Sequence, residues 1–588
     1  MSRVGVATGL MVGGLALVVA GSPATSSATT VPRSVSILGD STLMGLLGRP
    51  EYVDTLRQHY SNLFFDGESC KRLIQPSCRG RTGQVPVTIL NTMKASRGQL
   101  GSVLVIMSGY DDSRVDDAVE AITAEARSQG VQRVLWLTYV EDVSYVGPGG
   151  ITFAAVFRSH NQTLRDELID HPELDLADWN AYSSGHPDWF GSDGIHLAQP
   201  TGPPHLVQFL EQSIDALFPV LDACATPPVP PPVTTAAPTP TPAGFVPVTP
   251  MRILDTRSEP DPGSRLPLDR AGAVPAGATA AVVNLTAVEN QCAQDFLTAA
   301  PCGTGVPDAS NLNVTRRRTV ANLAVVALGE QKGACVYHGP GTAIVVDLLG
   351  WLVPGAPGYT PATPARIVDT RLGRGPTAPT RTRLVAAAWT PLPLDGVVGS
   401  TAKSLLANLT VVNPAAAGYL SIAPCGTGEP PVSSVNFQPG QVAANLTVVS
   451  LGVSPTCLYA SATTDVLVDL VGTFGPGGYG LAATQPVRLL DTRLGVGGPA
   501  GALTRGGTRS FALPAPGALV NITADLAQSP GFLVASACGT LPDVSTLNYT
   551  PGRPVANLAV VRTDNGQECV YASQATHVIV DRLADLVG

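Results

Sequence analysis

Short apolar runs separated by amphipathic stretches pattern the first part of the chain. Val35–Leu38, Leu63–Phe65, Val103–Met107, Val131–Thr138 and Leu174–Trp179 read as short buried strands. Asp116–Gln129 and Pro203–Phe218 read as helices between or after them. Strand and helix alternation predicts a parallel sheet covered on both faces. The active site of such a sheet forms at the carboxyl ends of its strands. Further along, β-branched runs with period-two alternation, such as Ala281–Thr286 and Leu323–Val326, predict antiparallel strands.

The antiparallel part is an internal repeat. Arg-x-x-Asp-Thr-Arg opens it three times, at Arg252–Arg257, Arg366–Arg371 and Arg488–Arg493. Each copy continues through an Asn-x-Thr strand (Asn284, Asn408, Asn521), a Cys-Gly-Thr, a Ser-x-x-Asn, an Ala-Asn-Leu strand and a Cys-x-Tyr. Each closes on a Val-Asp, at Asp347, Asp469 and Asp581. A period above a hundred residues is too long for a solenoid unit and fits an autonomous domain. Each repeat is therefore expected to be a β-sandwich or jelly-roll-like domain. The Asn-x-Thr triplets at Asn284, Asn408 and Asn521 sit inside apolar strands, so a buried amide satisfying nearby backbone is a better reading than a glycosylation site. Asp-Thr-Arg reads as a salt-bridged turn, with the Val-Asp carboxylate as a nearby partner.

The expected layout follows. Residues 1–28 are an export signal, with Arg3 before the apolar stretch Val4–Ala20 and small residues through Ala28. Residues 33–222 are the α/β domain, and 225–243 a Pro/Thr-rich spacer. The β repeats occupy 246–354, 361–475 and 483–588. Charged residues are only 14% of the chain, and 61 Gly and 52 Pro suit a turn-rich extracellular protein. A net charge of −9 argues against nucleic-acid or anionic-membrane partners. No second long apolar segment follows the signal, so no membrane span is expected once it is cleaved.

Ten cysteines in an oxidising compartment read as disulfides rather than as metal ligands. The recurring pair in each repeat predicts Cys302–Cys335, Cys425–Cys457 and Cys538–Cys569. Cys70 and Cys78 bracket a loop and form a fourth pair. Cys224 and Cys292 remain, and their pairing would tie the start of the spacer to the first repeat.

The chemistry concentrates in two places. Gly39-Asp40-Ser41-Thr42-Leu43-Met44-Gly45 follows directly on the first strand, and Asp193-Gly194-Ile195-His196 precedes the last helix. A serine hydroxyl is a poor nucleophile until a histidine takes its proton, and the histidine needs a carboxylate to orient it. An N-cap role explains Ser41 alone, but not the paired Asp193 and His196. His160 and His186 lack an Asp at the matching offset and read as structural. Trp189-Phe190 lies close enough to the Asp–His loop to line a pocket.

With these two motifs in this order, about 190 residues resemble the SGNH (GDSL-type) hydrolase family. The resemblance implies a flavodoxin-like three-layer α/β/α fold and hydrolysis of ester or related acyl bonds without a cofactor or metal. It implies Ser41 as nucleophile, His196 as general base and then acid, and Asp193 as its orienter. It also implies three oxyanion donors: the Ser41 N–H, a backbone N–H after the second strand at Gly67 or Cys70, and an asparagine side chain in a Gly-x-Asn-Asp motif. This chain reads Gly109-Tyr110-Asp111-Asp112, with Asp111 in place of that asparagine. A carboxylate cannot donate to an oxyanion, so Asp111 is protonated in a desolvated site, or the enzyme works with fewer donors, or activity is lost. The repeats resemble β-rich modules of secreted actinobacterial proteins.

The expected function is a secreted serine esterase acting on acyl or acetyl esters of a carbohydrate, lipid or cell-envelope polymer. The repeats would target or bind cell-envelope or extracellular polysaccharide. The alternative is a catalytically silent surface binding or adhesion protein on a hydrolase fold.

Overall fold

The computed structural model describes residues 32–143, 146, 152–225, 233–259, 264–374, 381–452, 455–514, 516–539, 541, 544–563 and 565–588. The expected export signal lies outside the described residues, as does part of the spacer.

Five parallel strands come first: β1 (Ser34–Gly39), β2 (Asn62–Gly67), β3 (Val103–Met107), β4 (Arg133–Leu137) and β5 (Leu174–Ala177). They lie side by side in the order β2-β1-β3-β4-β5. The chain steps outward from β1 to β2, then crosses back past β1 to β3 and continues to β5. Right-handed crossovers therefore put the helix Pro50–His59 on one face, and Ile89–Ala95, Val115–Ser128 and Phe153–Glu167 on the other. The helix Gly202–Asp215 packs beside Pro50–His59. Every residue of β3 and β4 is buried, which is why both strands read as unbroken apolar runs. The last strand ends at Ala177 rather than Trp179. There the Asp178 side chain accepts from the Ala181 N–H and starts a new helix, Trp179–Ser183. The direction of winding reverses between β1 and β3, and the crevice at such a reversal is where doubly wound sheets place their sites.

The remainder of the described chain is mostly β-sheet. Each repeat contributes a four-stranded antiparallel sheet and a second sheet, of three strands in the first repeat and four in the other two. In the first repeat the four strands run Val320–Ala327, Ala280–Val288, Ala343–Val353 and Gly244–Asp255. The expectation of three sandwich or jelly-roll modules is corrected here, because the six small sheets form a propeller-like ring. The physical reason lies in the central strands. All nine residues of Ala280–Val288 are buried, as are eight of nine in Ser404–Val412 and Gly517–Asp525. One face packs within its own repeat, as Val283 and Leu285 do beside Leu297 and Leu312. The other face joins a shared centre where Val282, Leu406 and Leu519 from the three repeats meet. The period-two alternation thus separates two buried faces rather than a buried face from a wet one.

Buried asparagines close the ring. Asn284 Nδ2 donates to the Ser433 carbonyl at 2.7 Å, Asn408 to Ser545 at 3.0 Å, and Asn521 to Ser310 at 2.7 Å. Each repeat therefore holds the next, and the third holds the first. The Ala-Asn-Leu asparagines complete the circuit: Asn445, Asn557 and Asn322 donate to the side-chain oxygens of Asn284, Asn408 and Asn521. Amides enclosed in this way are structural groups, not glycan acceptors.

All ten cysteines are paired, as Cys70–Cys78, Cys224–Cys292, Cys302–Cys335, Cys425–Cys457 and Cys538–Cys569. Cys224–Cys292 joins the helix Phe218–Ala225 to the first repeat. A second attachment comes from Arg316, Arg317 and Arg318 of that repeat. Arg316 and Arg317 both reach Asp175 on β5, and Arg318 donates to Asp170 and to the Ile169 carbonyl. Asp175 and Arg133 stand at the amino ends of β5 and β4. The ring thus docks on the end of the sheet opposite the crevice.

Candidate active site

Ser41 lies in the turn after β1, and His196 in the loop before the helix Gly202–Asp215. His196 Nε2 is 2.9 Å from Ser41 Oγ, and Nδ1 is 2.7 Å from Asp193 Oδ2. The other Asp193 oxygen accepts from the backbone N–H groups of Ile195 and His196, at 2.9 and 3.0 Å. Burial opposes ionisation of Asp193, but these two N–H groups and the imidazole hold its carboxyl below the usual range. The contact with a carboxylate puts the imidazole proton on Nδ1 and leaves the Nε2 lone pair facing the serine. Gly194, at φ 72°, gives the tight turn that lets Asp193 cap its own loop while facing the ring of His196.

A buried carboxylate that the motif reading passed over fixes the nucleophile turn. Asp40 accepts from Thr42 N–H at 2.9 Å, Thr42 Oγ1–H at 2.7 Å and Gly109 N–H at 3.1 Å. Burial pushes its carboxyl up, against the pull of those three donors. Asp40 thereby ties the loop after β1 to the loop after β3. Gly109 sits at φ 116°, and a Cβ there would run into the Tyr139 hydroxyl, so this loop needs glycine on both counts. An acidic residue directly before the serine in Gly39-Asp40-Ser41 was the available signal, but nothing in the sequence shows which way Asp40 points.

Asp111 is exposed, not enclosed in a desolvated site. Its carboxylate and the two sulfurs of Cys70–Cys78 lie within 4.8 Å of one another. Those sulfurs are bonded to each other, so the cluster is not a metal-ligand set. The buried member of the motif is Asp112, which accepts from Leu73 N–H and is pushed up to about 6 by burial. Gly67 is the last residue of β2 and pairs with Gly39 of β1, while Glu68 N–H donates to the Gly39 carbonyl. Cys70 lies beyond the strand at φ 66°. Lys71, itself buried, pairs with Asp66 and accepts the Ser108 hydroxyl on its carbonyl, which fixes this loop against the one after β3.

A cleft of about 270 Å³ adjoins the acid–base loop, lined by Asp142, Asn180, Ser183, His186, Phe190 and Gly194. Phe190 lines it, whereas Trp189 is buried between the stacked rings of His186 and His205, 4.0 and 3.9 Å away. His160 is buried against Tyr139 and Phe157. Neither His160 nor His186 reaches the serine.

No family model matches the chain, and no curated protein matches it. Among solved structures, the C-terminal catalytic domain of Streptococcus pneumoniae peptidoglycan O-acetyltransferase A, with a methylsulfonyl adduct, is 13% identical. That match covers 32% of this chain and 94% of the other, at a TM-score of 0.23. A lipase/acylhydrolase from Enterococcus faecalis is 16% identical over 31% of this chain and 96% of its own, at 0.23. The acetylxylan esterase Axe2 from Geobacillus stearothermophilus is 14% identical over 32% and 96%, at 0.23. Each likeness spans about a third of this chain.

Proposed function

We propose that the chain is a secreted serine esterase that hydrolyses acyl or acetyl esters of a carbohydrate, lipid or cell-envelope polymer. The observation that carries this reading is the unbroken line from Asp193 through His196 to Ser41, with contacts of 2.7 and 2.9 Å. Residues 33–222 are the catalytic unit, and the repeats at 246–354, 361–475 and 483–588 hold it near its polymer. His196 Nε2 takes the Ser41 proton as Oγ attacks the ester carbon, and Asp193 stabilises the imidazolium that forms. The tetrahedral intermediate collapses when His196 returns that proton to the leaving alcohol. Water then repeats the cycle on the acyl-serine and releases the acid.

The Ser41 N–H is one oxyanion donor. Cys70 is favoured over Gly67 for the second, because Gly67 belongs to the strand ladder and Cys70 stands outside it. Five disulfides suit an oxidising compartment. Among the described residues no helix is long and apolar enough to cross a membrane.

One sequence feature favours the second reading, a silent binding protein: Asp111 stands where the family resemblance implies an asparagine amide as oxyanion donor. A fluorophosphonate probe separates the two, since only an activated serine labels well. Labelling of the wild type that Ser41→Ala abolishes, with a panel of short acyl esters turned over in parallel, supports the esterase. No labelling and no turnover would leave the binding protein.

A further inference from the structure

Three aromatic side chains recur at one position of the ring without a place in its core. Phe296 is 47% exposed and Phe532 38%, and Tyr419 is half-buried. Each stands directly across an antiparallel pair from the asparagine of its Ser-x-x-Asn motif: Phe296 from Asn313, Tyr419 from Asn436, Phe532 from Asn548. Cross-strand partners share a face, so ring and amide lie side by side three times over. A second ring adjoins two of these side chains, the buried Tyr459 at 6.0 Å from Tyr419 and the half-buried Tyr571 at 6.2 Å from Phe532.

The neighbouring repeat supplies the other wall. Between the second and third repeats a cleft of about 470 Å³ is lined by Arg366, Arg371 and Thr410 from one side and Phe532, Ser545 and Asn548 from the other. At the boundary before it Asn284 donates to Ser433, which begins the motif that ends at Asn436. At the third boundary Asn521 donates to Ser310, which begins the motif that ends at Asn313.

The arginines are already neutralised. Arg366 donates to both oxygens of Asp469 at 2.8 and 3.1 Å, and Arg371 to both oxygens of Asp369 at 3.0 and 2.8 Å. Arg252 and Arg488 grip Asp347 and Asp581 in the same way, and Arg257 and Arg493 grip Asp255 and Asp491. The cleft between the second and third repeats therefore presents planar hydrogen-bonding groups beside an aromatic face, and its arginines carry no uncompensated charge. That combination suits a sugar ring, with an apolar C–H face and a rim of hydroxyls, better than an anion.

We propose that each boundary between repeats is a binding cleft for a neutral saccharide unit, with an aromatic ring from one repeat under the sugar and the Arg–Asp pairs of the other beside its hydroxyls. The ring then carries three such clefts, and a polymer that engages them together gains avidity over any one of them. This rests on the reading of the repeats as the part that holds the catalytic unit near a polysaccharide.

The test uses the full chain in native gels containing arabinoxylan, glucomannan or a soluble β-glucan, with polygalacturonate as the anionic control. At least one neutral polymer should retard the protein. Phe296→Ala, Tyr419→Ala and Phe532→Ala should each weaken retardation several-fold, and the triple variant should lose it by about 10² or more. Leu at the same three positions keeps apolar bulk without the ring and should behave as the Ala set does, with the melting temperature of wild type. Retardation by polygalacturonate alone, no retardation by any neutral polymer, or an unaffected triple variant would overturn the proposal. Turnover of a small soluble ester should be unchanged in all of these variants, and it reports separately on Ser41.

Discussion

Arg316 sets both terminal nitrogens of its guanidinium on the Asp175 carboxylate, at 2.9 and 2.7 Å. Both side chains are nearly buried, and Arg317 adds a third contact at 2.8 Å. Burial pushes the Arg133 and Arg317 guanidiniums down to about 10, so both stay protonated at neutral pH. One carboxylate of the α/β domain therefore compensates a cluster of arginine charges at the contact with the ring. Because the contact sits at the amino ends of the strands, it fixes the α/β domain while leaving its crevice open.

Asp175→Asn should loosen this contact, since it leaves Arg133, Arg316 and Arg317 without their shared counter-charge. Losing one partner of a buried ion pair costs about 3–5 kcal/mol. Calorimetry should show the α/β domain melting earlier and apart from the ring, with Cys224–Cys292 still intact. A single transition at the wild-type temperature would show that the arginines do not hold the units together.

Asn408→Ala should weaken ring closure. It removes the donor to the Ser545 carbonyl and the acceptor for Asn557 Nδ2, both in buried surroundings. Each unmet buried group costs about 1–3 kcal/mol. The midpoint of urea unfolding should fall accordingly, and Asn284→Ala and Asn521→Ala should fall by similar amounts. A variant as stable as wild type would remove the amide circuit from the account of the ring.

Asp111→Asn should raise kcat/KM on a short-chain ester near neutral pH, because an amide can donate where a carboxylate cannot. One oxyanion donor is worth about 10²–10³ in rate, which sets the upper limit of the gain. Lower activity at every pH would mean that the exposed carboxylate serves substrate binding or the Cys70–Cys78 loop instead.

Glu568 gives a pH-dependent stability. It is 1% exposed, one of its carboxylate oxygens is buried without a partner, and burial pushes it up to about 7. A carboxyl raised in the folded state binds its proton more tightly there than in the unfolded chain. Its contribution is complete below the unfolded value near 4.5 and is lost as pH rises through about 7. Between pH 5 and 8 the wild type should lose about 1–3 kcal/mol that Glu568→Gln does not lose. Parallel melting-temperature profiles for the two proteins would contradict this.

Much of the α/β domain was legible because its signals are local. A fully buried parallel strand reads as an apolar run, so all five strands were placed to within two residues of their observed ends. Trp179 was misread as strand because Asp178, a capping residue, sits inside the apolar stretch. Gly39-Asp40-Ser41 and Asp193-x-x-His196 were legible as short runs of nucleophile, acid and base residue types, and three of the five cysteine pairs because each recurs with its repeat.

The sequence by itself determined the order of units, the residues able to form a nucleophile, base and acid, and the threefold recurrence of the β-rich part. Only the tertiary structure decided that Asp40 spans the loops after β1 and β3, that Asp112 rather than Asp111 is the buried carboxylate, and that the repeats close into one ring. The physical reason is the same in each case. A motif fixes which groups are available, whereas burial and hydrogen-bond partners come from segments far apart in the chain. Asn284 and Ser433 are 149 residues apart and meet only because three apolar sheet faces share one centre.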